Sequence, residues 1–459
     1  MKDFVKYTLA TLCGLFLAGI TLFILGILSI AGMMTMESAA PSIKPQSVLR
    51  LTLNGELQED APNDPLGDLF GSTYPTLSLR EIQTAIQGAK ENPNIDGIYI
   101  EAQTLLGATP AMIRDIRESL ADFKKSGKYI IAYGDNYTQG AYYICSIADS
   151  IILNPQGQVN WCGMASQPIF YKDLLEKIGI KMQVFKVGSY KSAVEPFTAT
   201  RMSDANREQV TSYLNDIWQT MLTDVSRSRS IKKDLLNEYA DSMLTFRPAE
   251  ELVRNGMVDS LCYIDGISRM LRAKTGKDKG ALPLVSVKEL AAATEATPKK
   301  GDKIAVYYAY GDIVDRKTEW SENVIDAETV CRDLRTLRED ESVKAVVLRV
   351  NSGGGSAYAS EQIWHEVKLL REAKPVVVSM GGMAASGGYY ISCAANYIVA
   401  EPTTLTGSIG IFGLIPDASQ LLSDKLGLHF DVVKTNAHAD FGTLARPFNP
   451  SEAQMMQGY

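Results

Sequence analysis

The first feature of the chain is an apolar stretch near its N-terminus. Residues 9–30 contain three hydroxyl side chains and no charge. As a helix this stretch is about 33 Å long, which matches a hydrocarbon core of about 30 Å. A cleaved signal peptide has an apolar core of only about 7–15 residues, so a transmembrane anchor within 1–38 is favoured over a signal cleaved near residues 38–40. Lys2 and Lys6 precede it, which predicts a cytoplasmic N-terminus and an extracytoplasmic body.

Beyond a linker at 39–47, short apolar strands alternate with amphipathic helices. The pattern predicts strands at 48–53, 95–100, 129–133 and 150–153, and helices at 79–90, 110–125 and 140–147. Such alternation favours a mostly parallel sheet covered by helices. The first strand is expected to end in a turn at Asn54 and Gly55, before a long loop at 60–75. Helices dominate from 203 to 273, and 274–302 is predicted to be an interdomain linker.

From residue 303 the same order begins again. Strands are predicted at 304–309, 343–350 and 375–380, and helices at 327–339, 360–372 and 387–394. The residues repeat as well, because the sequence GAYYI at 140–144 returns as GGYYI at 387–391, an offset of 387 − 140 = 247. We interpret 48–273 and 303–459 as tandem copies of one α/β unit, the first and second repeats. The second stops eleven residues after Phe448, whereas its counterpart continues for about 70, so we expect the sequence to be truncated at Tyr459.

Composition excludes several classes of function. With 46% hydrophobic and 22% charged residues the chain is that of a globular protein. Its net charge of −7 argues against a nucleic-acid partner, which would require a basic face. The three histidines have no metal-ligand spacing, and the six cysteines form no C-x-x-C pair. We therefore expect neither a metal nor another cofactor.

The candidate nucleophile lies in the glycine-rich stretch 379–391. The predicted strand ends in a glycine pair, and a turn of small residues then presents Ser386 at the start of a helix, where backbone N–H groups point outward. It is not a G-x-S-x-G elbow, because Ala384 replaces the first glycine. A catalytically silent turn is an equal alternative from this stretch alone. The first repeat, however, has Gln139 at the equivalent position, so the turn does not require a serine.

A second difference between the repeats is a glycine loop. The second repeat has NSGGGS at 351–356, where the first has QTLLGA at 103–108. Backbone N–H groups of such a loop can face an oxyanion, although a plain turn has the same composition. A phosphate-binding loop is disfavoured, because no Lys-Ser or Lys-Thr pair follows the glycines.

The base that a serine requires is predicted to be a lysine. The first repeat carries Lys191 in the stretch 184–197, and the second has no lysine at that position. Each repeat thus lacks a group that the other retains. A lysine accepts the serine proton only when burial lowers its pKa from about 10.4 by roughly 2–3 units. The surroundings of Lys191 in sequence are apolar apart from Glu195, which suits that role, although most lysines are solvated surface residues.

Four stretches together resemble the signal peptide peptidase A family, also called protease IV, in its long tandem-repeat form. They are YKSAVEPF at 190–197, RVNSGGGS at 349–356, AASGGYY at 384–390 and LTGSIGIF at 405–412. The resemblance implies two tandem α/β repeats of the Clp protease and crotonase type after an N-terminal transmembrane helix. It implies Ser386 as nucleophile, Lys191 as general base, Ser408 as the residue that orients the lysine, and Gly354 and Gly387 as the oxyanion hole. Gly353 departs from the family, which commonly has proline there, and this departure leaves Gly355 as an alternative to Gly354 in the oxyanion hole.

The resemblance also implies partners and location. A homotetramer would sit in the bacterial inner membrane with its catalytic domains on the periplasmic side, and would degrade cleaved signal peptides and other apolar peptides. Two alternatives are a crotonase-like acyl-CoA enzyme, which leaves Lys191 unexplained, and a non-catalytic membrane scaffold, which the reciprocal loss of Ser and Lys disfavours. The sequence leaves open whether Ser386 and Lys191 meet in one chain or across protomers.

Overall fold

The computed structural model describes residues 2–36, 42–61, 75–276, 280–296, 301–318 and 323–459. The N-terminal helix α1 (Lys2–Met36) contains the predicted apolar stretch. Within it, residues 6–26 are long and apolar enough to cross a membrane, and they are not buried against the rest of the described chain. Residues 6–26 therefore take no part in the core of the folded body.

The first repeat is built around a seven-stranded sheet in which all pairings are parallel. The strands of this repeat are β1 (Ser47–Gln58), β2 (Thr76–Ser78), β3 (Ile95–Leu106), β4 (Tyr129–Tyr137), β5 (Ser150–Val159), β6 (Lys181–Lys186), β7 (Ser260–Leu261) and β8 (Leu284–Ser286). The strand order in the sheet is β2-β1-β3-β4-β5-β7, and β8 also pairs with β1. The helices are α2 (Leu79–Glu91), α3 (Pro110–Lys124), α4 (Gln139–Cys145), α5 (Lys172–Ile178), α6 (Glu195–Thr198), α7 (Asp204–Arg229), α8 (Lys233–Asp241), α9 (Ala249–Arg254), α10 (Ile264–Thr275) and α11 (Val287–Glu295).

The strands of the second repeat are β9 (Lys303–Tyr310), β10 (Asp312–Val314), β11 (Val324–Asp326), β12 (Val343–Ser352), β13 (Val376–Ala385), β14 (Tyr397–Val399), β15 (Leu405–Gly407) and β16 (Phe412–Asp417). They include a five-stranded parallel sheet of order β14-β13-β12-β9, with β15 paired to the end of β13. The helices of this repeat are α12 (Ala327–Glu339), α13 (Ala357–Ala373), α14 (Gly387–Ser392) and α15 (Pro450–Gly458). Counted from its other edge, this sheet has the order β9-β12-β13-β14, which matches β1-β3-β4-β5 of the first repeat. Each sheet has its own buried apolar core. The α/β fold with parallel sheets is as predicted.

Two expected turns are strands instead. β1 continues through Asn54 and Gly55 to residue 58, with a register shift beside Gly55 where it pairs with β3. Gly55 has φ of +127°, and a Cβ there would lie 1.9 Å from the carbonyl oxygen of Pro75. The glycine therefore permits a bulge with a close backbone approach, not a chain reversal. In the same way β13 runs to Ala385, because β15 pairs with its last three residues.

Part of the segment expected as an interdomain linker forms regular secondary structure. Within 274–302, β8 pairs with β1 and α11 packs on α2, so residues 284–295 complete the first repeat. A capping box between Ser286 and Glu289 starts the helix. The sequence did not predict β8 and α11, because the many Lys, Ala and Thr residues of this segment suit an exposed helix as well as a linker.

The repeats contact one another through an antiparallel ribbon of β6 and β16. Phe412 pairs with Lys186 at one end of the ribbon and Asp417 pairs with Lys181 at the other. Of the strand pairings in the described part of the chain, this is the one that crosses between the repeats. The ribbon holds the segment after β6 against the segment before β16.

Candidate active site

Ser386 lies between the end of β13 and the start of α14, as the sequence predicts. Its backbone has φ 54° and ψ −115°, a conformation that is sterically costly for a residue with a side chain. The Ser386 N–H donates to the Gly407 carbonyl at 2.8 Å, and its own carbonyl accepts from the Tyr390 N–H at 2.9 Å. These bonds hold the strained turn. The half-buried hydroxyl is thereby presented at the helix N-terminus.

Lys191 follows β6 and reaches Ser386 within the same chain. Its Nζ lies 2.9 Å from Ser386 Oγ, 2.7 Å from the Ser408 carbonyl oxygen and 3.2 Å from Ser408 Oγ. The lysine is only 5% exposed. The ribbon of β6 and β16 accounts for this meeting, because it fixes the lysine segment beside residues 408–412.

Burial lowers the pKa of Lys191 below its ordinary value. The hydrogen-bond partners described for its Nζ are neutral oxygen atoms, so none of them offsets the penalty on the ammonium form with a full negative charge. Glu195, the acidic residue near it in sequence, is engaged elsewhere. Burial by itself would raise the pKa of Glu195, but hydrogen bonds from Ser203 and Asn206 to its carboxylate lower it overall.

Ser408 is the third member of this cluster. It follows β15 with a positive φ of 48°, and Gly407 before it has φ of 78°. This left-handed pair turns the chain, so that both the carbonyl and the hydroxyl of Ser408 face Lys191 Nζ. The predicted nucleophile, base and orienting serine therefore lie together.

The glycine loop lies directly against Ser386. A Cβ on Gly354, whose φ is +98°, would lie 2.5 Å from the Gly387 nitrogen and 2.9 Å from Ser386 Cβ. The Gly354 N–H donates to Ser352 Oγ at 3.0 Å, whereas Gly355 lines the cavity beside Ser386. Of the two glycines expected to form an oxyanion hole, Gly387 lines that cavity, and the N–H of Gly354 already has an acceptor.

A cavity of about 520 Å³ opens beside Lys191 and Ser386. Most of the side chains around it are apolar or aromatic, including Ala357, Tyr390, Ile409, Ile411 and Phe412. Its lining suits an apolar ligand. In the described part of the chain, no group of three or more His, Cys, Asp or Glu side chains is placed to hold a metal ion.

In the first repeat, Gln139 stands at the position equivalent to Ser386, and its side chain is bonded to the neighbouring loop. Gln139 Oε1 accepts from the N–H groups of Cys162 and Gly163, both at 3.0 Å, and its Nε2 donates to the Gly163 carbonyl at 3.1 Å. Residues 161–163 correspond to 408–410 by the offset of 247. The glutamine amide therefore bonds to the first-repeat counterpart of the loop that faces Lys191 in the second repeat.

Two further residues of the glycine loop are Ser352, for which the sequence predicts no role, and Gly355, the alternative to Gly354. Ser352 donates to the Gly311 carbonyl at 2.7 Å and accepts from Gly354, so it fixes the start of the loop. Gly355, with φ of +156°, lies against Ile313. The glycines of 351–356 indicate an unusual backbone conformation. Which of their N–H groups lacks an acceptor within the protein depends on contacts with residues about 40 positions earlier, and these cannot be predicted from the loop itself.

Comparison with known proteins places the chain in a class. The model of peptidase family S49 matches residues 122–277 and 368–459, and the Clp protease model matches 312–404. The chain is 40% identical to Protease 4 of Salmonella typhi over 90% of its own length and 68% of that protein, and 35% identical to Protease 4 of Haemophilus influenzae over 93% and 72%. It is 32% identical to the chloroplastic serine protease SPPA of Arabidopsis thaliana, covering 61% of that protein. The fold and these matches define a protease. The chain belongs to peptidase family S49.

Proposed function

We propose that this chain is a membrane-anchored endopeptidase in which Ser386 is the nucleophile and Lys191 is its general base. The observation that carries the proposal is the 2.9 Å contact between Lys191 Nζ and Ser386 Oγ in a buried setting. A serine and a neutral amine at hydrogen-bond distance are the minimum for nucleophilic catalysis without histidine. In this assignment the first repeat supplies the base and the second repeat supplies the nucleophile.

The reaction is an acyl transfer in two halves. Lys191 accepts the proton of Ser386 Oγ as that oxygen attacks the carbonyl carbon of the scissile bond. The resulting ammonium then protonates the leaving amine, and the peptide C–N bond breaks to give an acyl ester on Ser386. In the second half Lys191 deprotonates a water molecule, which attacks the ester and regenerates the serine.

The oxyanion requires backbone donors near Ser386. Gly387 is the first residue of α14, where a helix leaves its N–H without an intrahelical partner, and we assign it as one donor. Gly354 would serve as the second only by releasing Ser352 Oγ. Gly355, which lines the cavity, is the alternative within the same loop.

The assignment is tested with a fluorophosphonate, which labels an activated serine covalently. The full chain in detergent should be labelled at Ser386, located by mass spectrometry of the tryptic peptides. Labelling at another serine, or no labelling at a concentration that modifies a known serine protease, would refute the nucleophile.

Ser408 is proposed to keep Lys191 neutral and oriented. Replacing Ser408 with alanine removes the Oγ contact at 3.2 Å but leaves the carbonyl contact at 2.7 Å. We expect kcat to fall about tenfold, since one hydrogen bond to the dyad is lost. The midpoint of the pH dependence of kcat/KM should also move, because Ser408 Oγ contacts the amine that titrates. A pH profile identical to that of the wild type would show that Ser408 has no part in tuning the lysine.

The substrates are proposed to be cleaved signal peptides and other apolar peptides. Two features support this: the apolar lining of the cavity beside Ser386 and the apolar helix α1, which would hold the site near a membrane surface. Assembly as a homotetramer is part of the same proposal. It rests on the resemblance to the signal peptide peptidase A family.

Membrane anchoring gives a separate prediction. The full chain should stay in the membrane pellet after an alkaline carbonate wash, and a variant lacking residues 2–36 should be released, because that deletion removes the apolar helix. Protease added to intact spheroplasts should digest the body if it lies outside the cytoplasmic membrane, as Lys2 and Lys6 predict. Protection of the body until the membrane is permeabilised would reverse the orientation.

A further inference from the structure

A buried carboxylate of the first repeat lies against the strand that carries Ser386. Glu59 follows the end of β1 and is 2% exposed. Its Oε2 accepts from Arg349 Nε at 2.9 Å, and its Oε1 accepts from Arg349 Nη2 at 3.2 Å and from Asn351 Nδ2 at 3.0 Å. Both partners lie on β12 of the second repeat. A charge is therefore placed between the repeats, about 300 residues from its partners along the chain.

Asn351 connects Glu59 to β13, the strand that leads to Ser386. Its Oδ1 accepts from the Met383 N–H at 3.0 Å, while its Nδ2 donates to Glu59. Met383 lies on β13, three residues before Ser386 and beside the register shift between β12 and β13. One amide side chain thus connects Glu59 to the segment that leads into the strained turn.

The glycine pair of β13 makes room for this contact. A Cβ on Gly381 would lie 2.4 Å from Glu59 Oε1, and a Cβ on Gly382 would lie 2.2 Å from Thr109 Oγ1 at the start of α3. A larger residue at either position would clash with these side chains of the first repeat. The two glycines are therefore explained by a close approach between repeats.

We propose that Glu59 is a positioning residue, which acts through Asn351 and the Met383 N–H to hold Ser386 in register with Lys191. Attraction between Glu59 and Arg349 alone would not require this arrangement, because a buried ion pair stabilises little more than apolar packing of the same shape. What sets Glu59 apart is its second bond, to the amide that fixes β13. The inference rests on Ser386 being the nucleophile.

The test compares substitutions that change the donor and acceptor pattern at constant shape. Glu59→Gln turns an NH₂ group toward donors on Arg349 or Asn351, and Asn351→Asp sets a carboxylate against the carboxylate of Glu59. In the double variant, the introduced glutamine donates to the introduced aspartate, which restores one donor and one acceptor, and the aspartate still accepts from Met383. We expect each single variant to slow fluorophosphonate labelling of Ser386 by about 10–100-fold, a typical effect of a small misplacement. The double variant should return to within about threefold of the wild-type rate.

Asp115→Asn is the matched control. Asp115 also accepts from Arg349, at 2.7 Å, but its carboxylate makes no described bond to Asn351. If Glu59 serves only to bind the repeats together, Glu59→Gln and Asp115→Asn will lower the unfolding midpoint and the labelling rate alike. If Glu59 positions Ser386, Asp115→Asn will be labelled within about twofold of the wild-type rate, and Glu59→Gln will lower kcat with KM unchanged.

The outcomes separate the two proposals. A wild-type chain not labelled at Ser386 refutes the nucleophile, whatever the variants do. If the wild type is labelled and Glu59→Gln is labelled at the same rate, the positioning role alone is refuted. A double variant labelled no faster than the single variants refutes it too.

Should Glu59→Gln not fold, Asn351→Ala decides, because it leaves the ion pair of Glu59 with Arg349 intact and removes the amide that joins Glu59 to Met383. A wild-type labelling rate in that variant overturns the proposal, and a slowed rate supports it.

Discussion

Replacing Ser386 with alanine should reduce peptidase activity by at least about 10⁴-fold, because the covalent route is lost. The backbone of the variant should be unchanged, since alanine makes the same main-chain bonds to Gly407 and Tyr390. Residual hydrolysis would come from the backbone donors and the cavity alone. The measurement is the single-turnover rate on an apolar peptide with a quenched fluorophore.

Ser392→Ala is the control for this variant. Ser392 lies on the same short helix and is fully buried, with its hydroxyl donating to the Gly388 carbonyl at 2.6 Å. Its loss should affect stability and leave the rate within a few-fold. If Ser386→Ala retained a rate similar to that of Ser392→Ala, the nucleophile would have to lie elsewhere in the chain.

Replacing Lys191 with methionine should lower kcat by about 10²–10⁴-fold, the usual contribution of a general base. The same substitution should raise the unfolding midpoint at pH 7. Burial holds the pKa of Lys191 below that of the unfolded chain, so folding at neutral pH carries the free-energy cost of that lowered pKa. Methionine has similar length and no charge. Loss of activity and gain in stability in one variant would distinguish a catalytic lysine from a structural one.

The pH dependence follows from the direction of that shift. In the wild type, kcat/KM should rise with pH as the amine loses its proton, with a midpoint below 10.5. Between the folded pKa and the unfolded one, unfolding takes up a proton, so the stability contribution of Lys191 increases as pH rises. The stability advantage of Lys191→Met should therefore shrink toward pH 10.5. Lys186→Met, at an exposed lysine on the same segment, is the control and should reproduce the wild-type profile.

Much of the candidate site could be predicted by comparing the two repeats. Gln139 occupies the position equivalent to Ser386, so the turn forms without a serine and the hydroxyl is an addition to it. The second repeat has no lysine at the position equivalent to Lys191. The alternation of strands and helices indicated the fold class in the same way. These features are local or periodic, so they survive in the sequence.

What could not be read was the docking of one repeat on the other. Gly381 and Gly382 have the composition of a turn, and only the approach of Glu59 and Thr109 shows why glycine is needed there. Glu59 itself stands in a polar run after a strand, where most carboxylates are solvated. Residues 284–295 have the composition of a linker, yet β8 adds to a strand more than 200 residues earlier. Long-range packing leaves little local trace.

Because the ribbon pairs β6 of the first repeat with β16 of the second, it can form only late in synthesis of the chain. Lys191 and Ser386 are separated by 195 residues, and neither repeat contains both. At a synthesis rate of about 5–20 residues per second, the interval between them is roughly 10–40 s. During that interval the first repeat can fold around its own sheet, but the lysine faces no serine. With Ser386 and Lys191 in the roles proposed for them, a growing chain could not cleave itself or its neighbours until β16 had emerged and paired with β6.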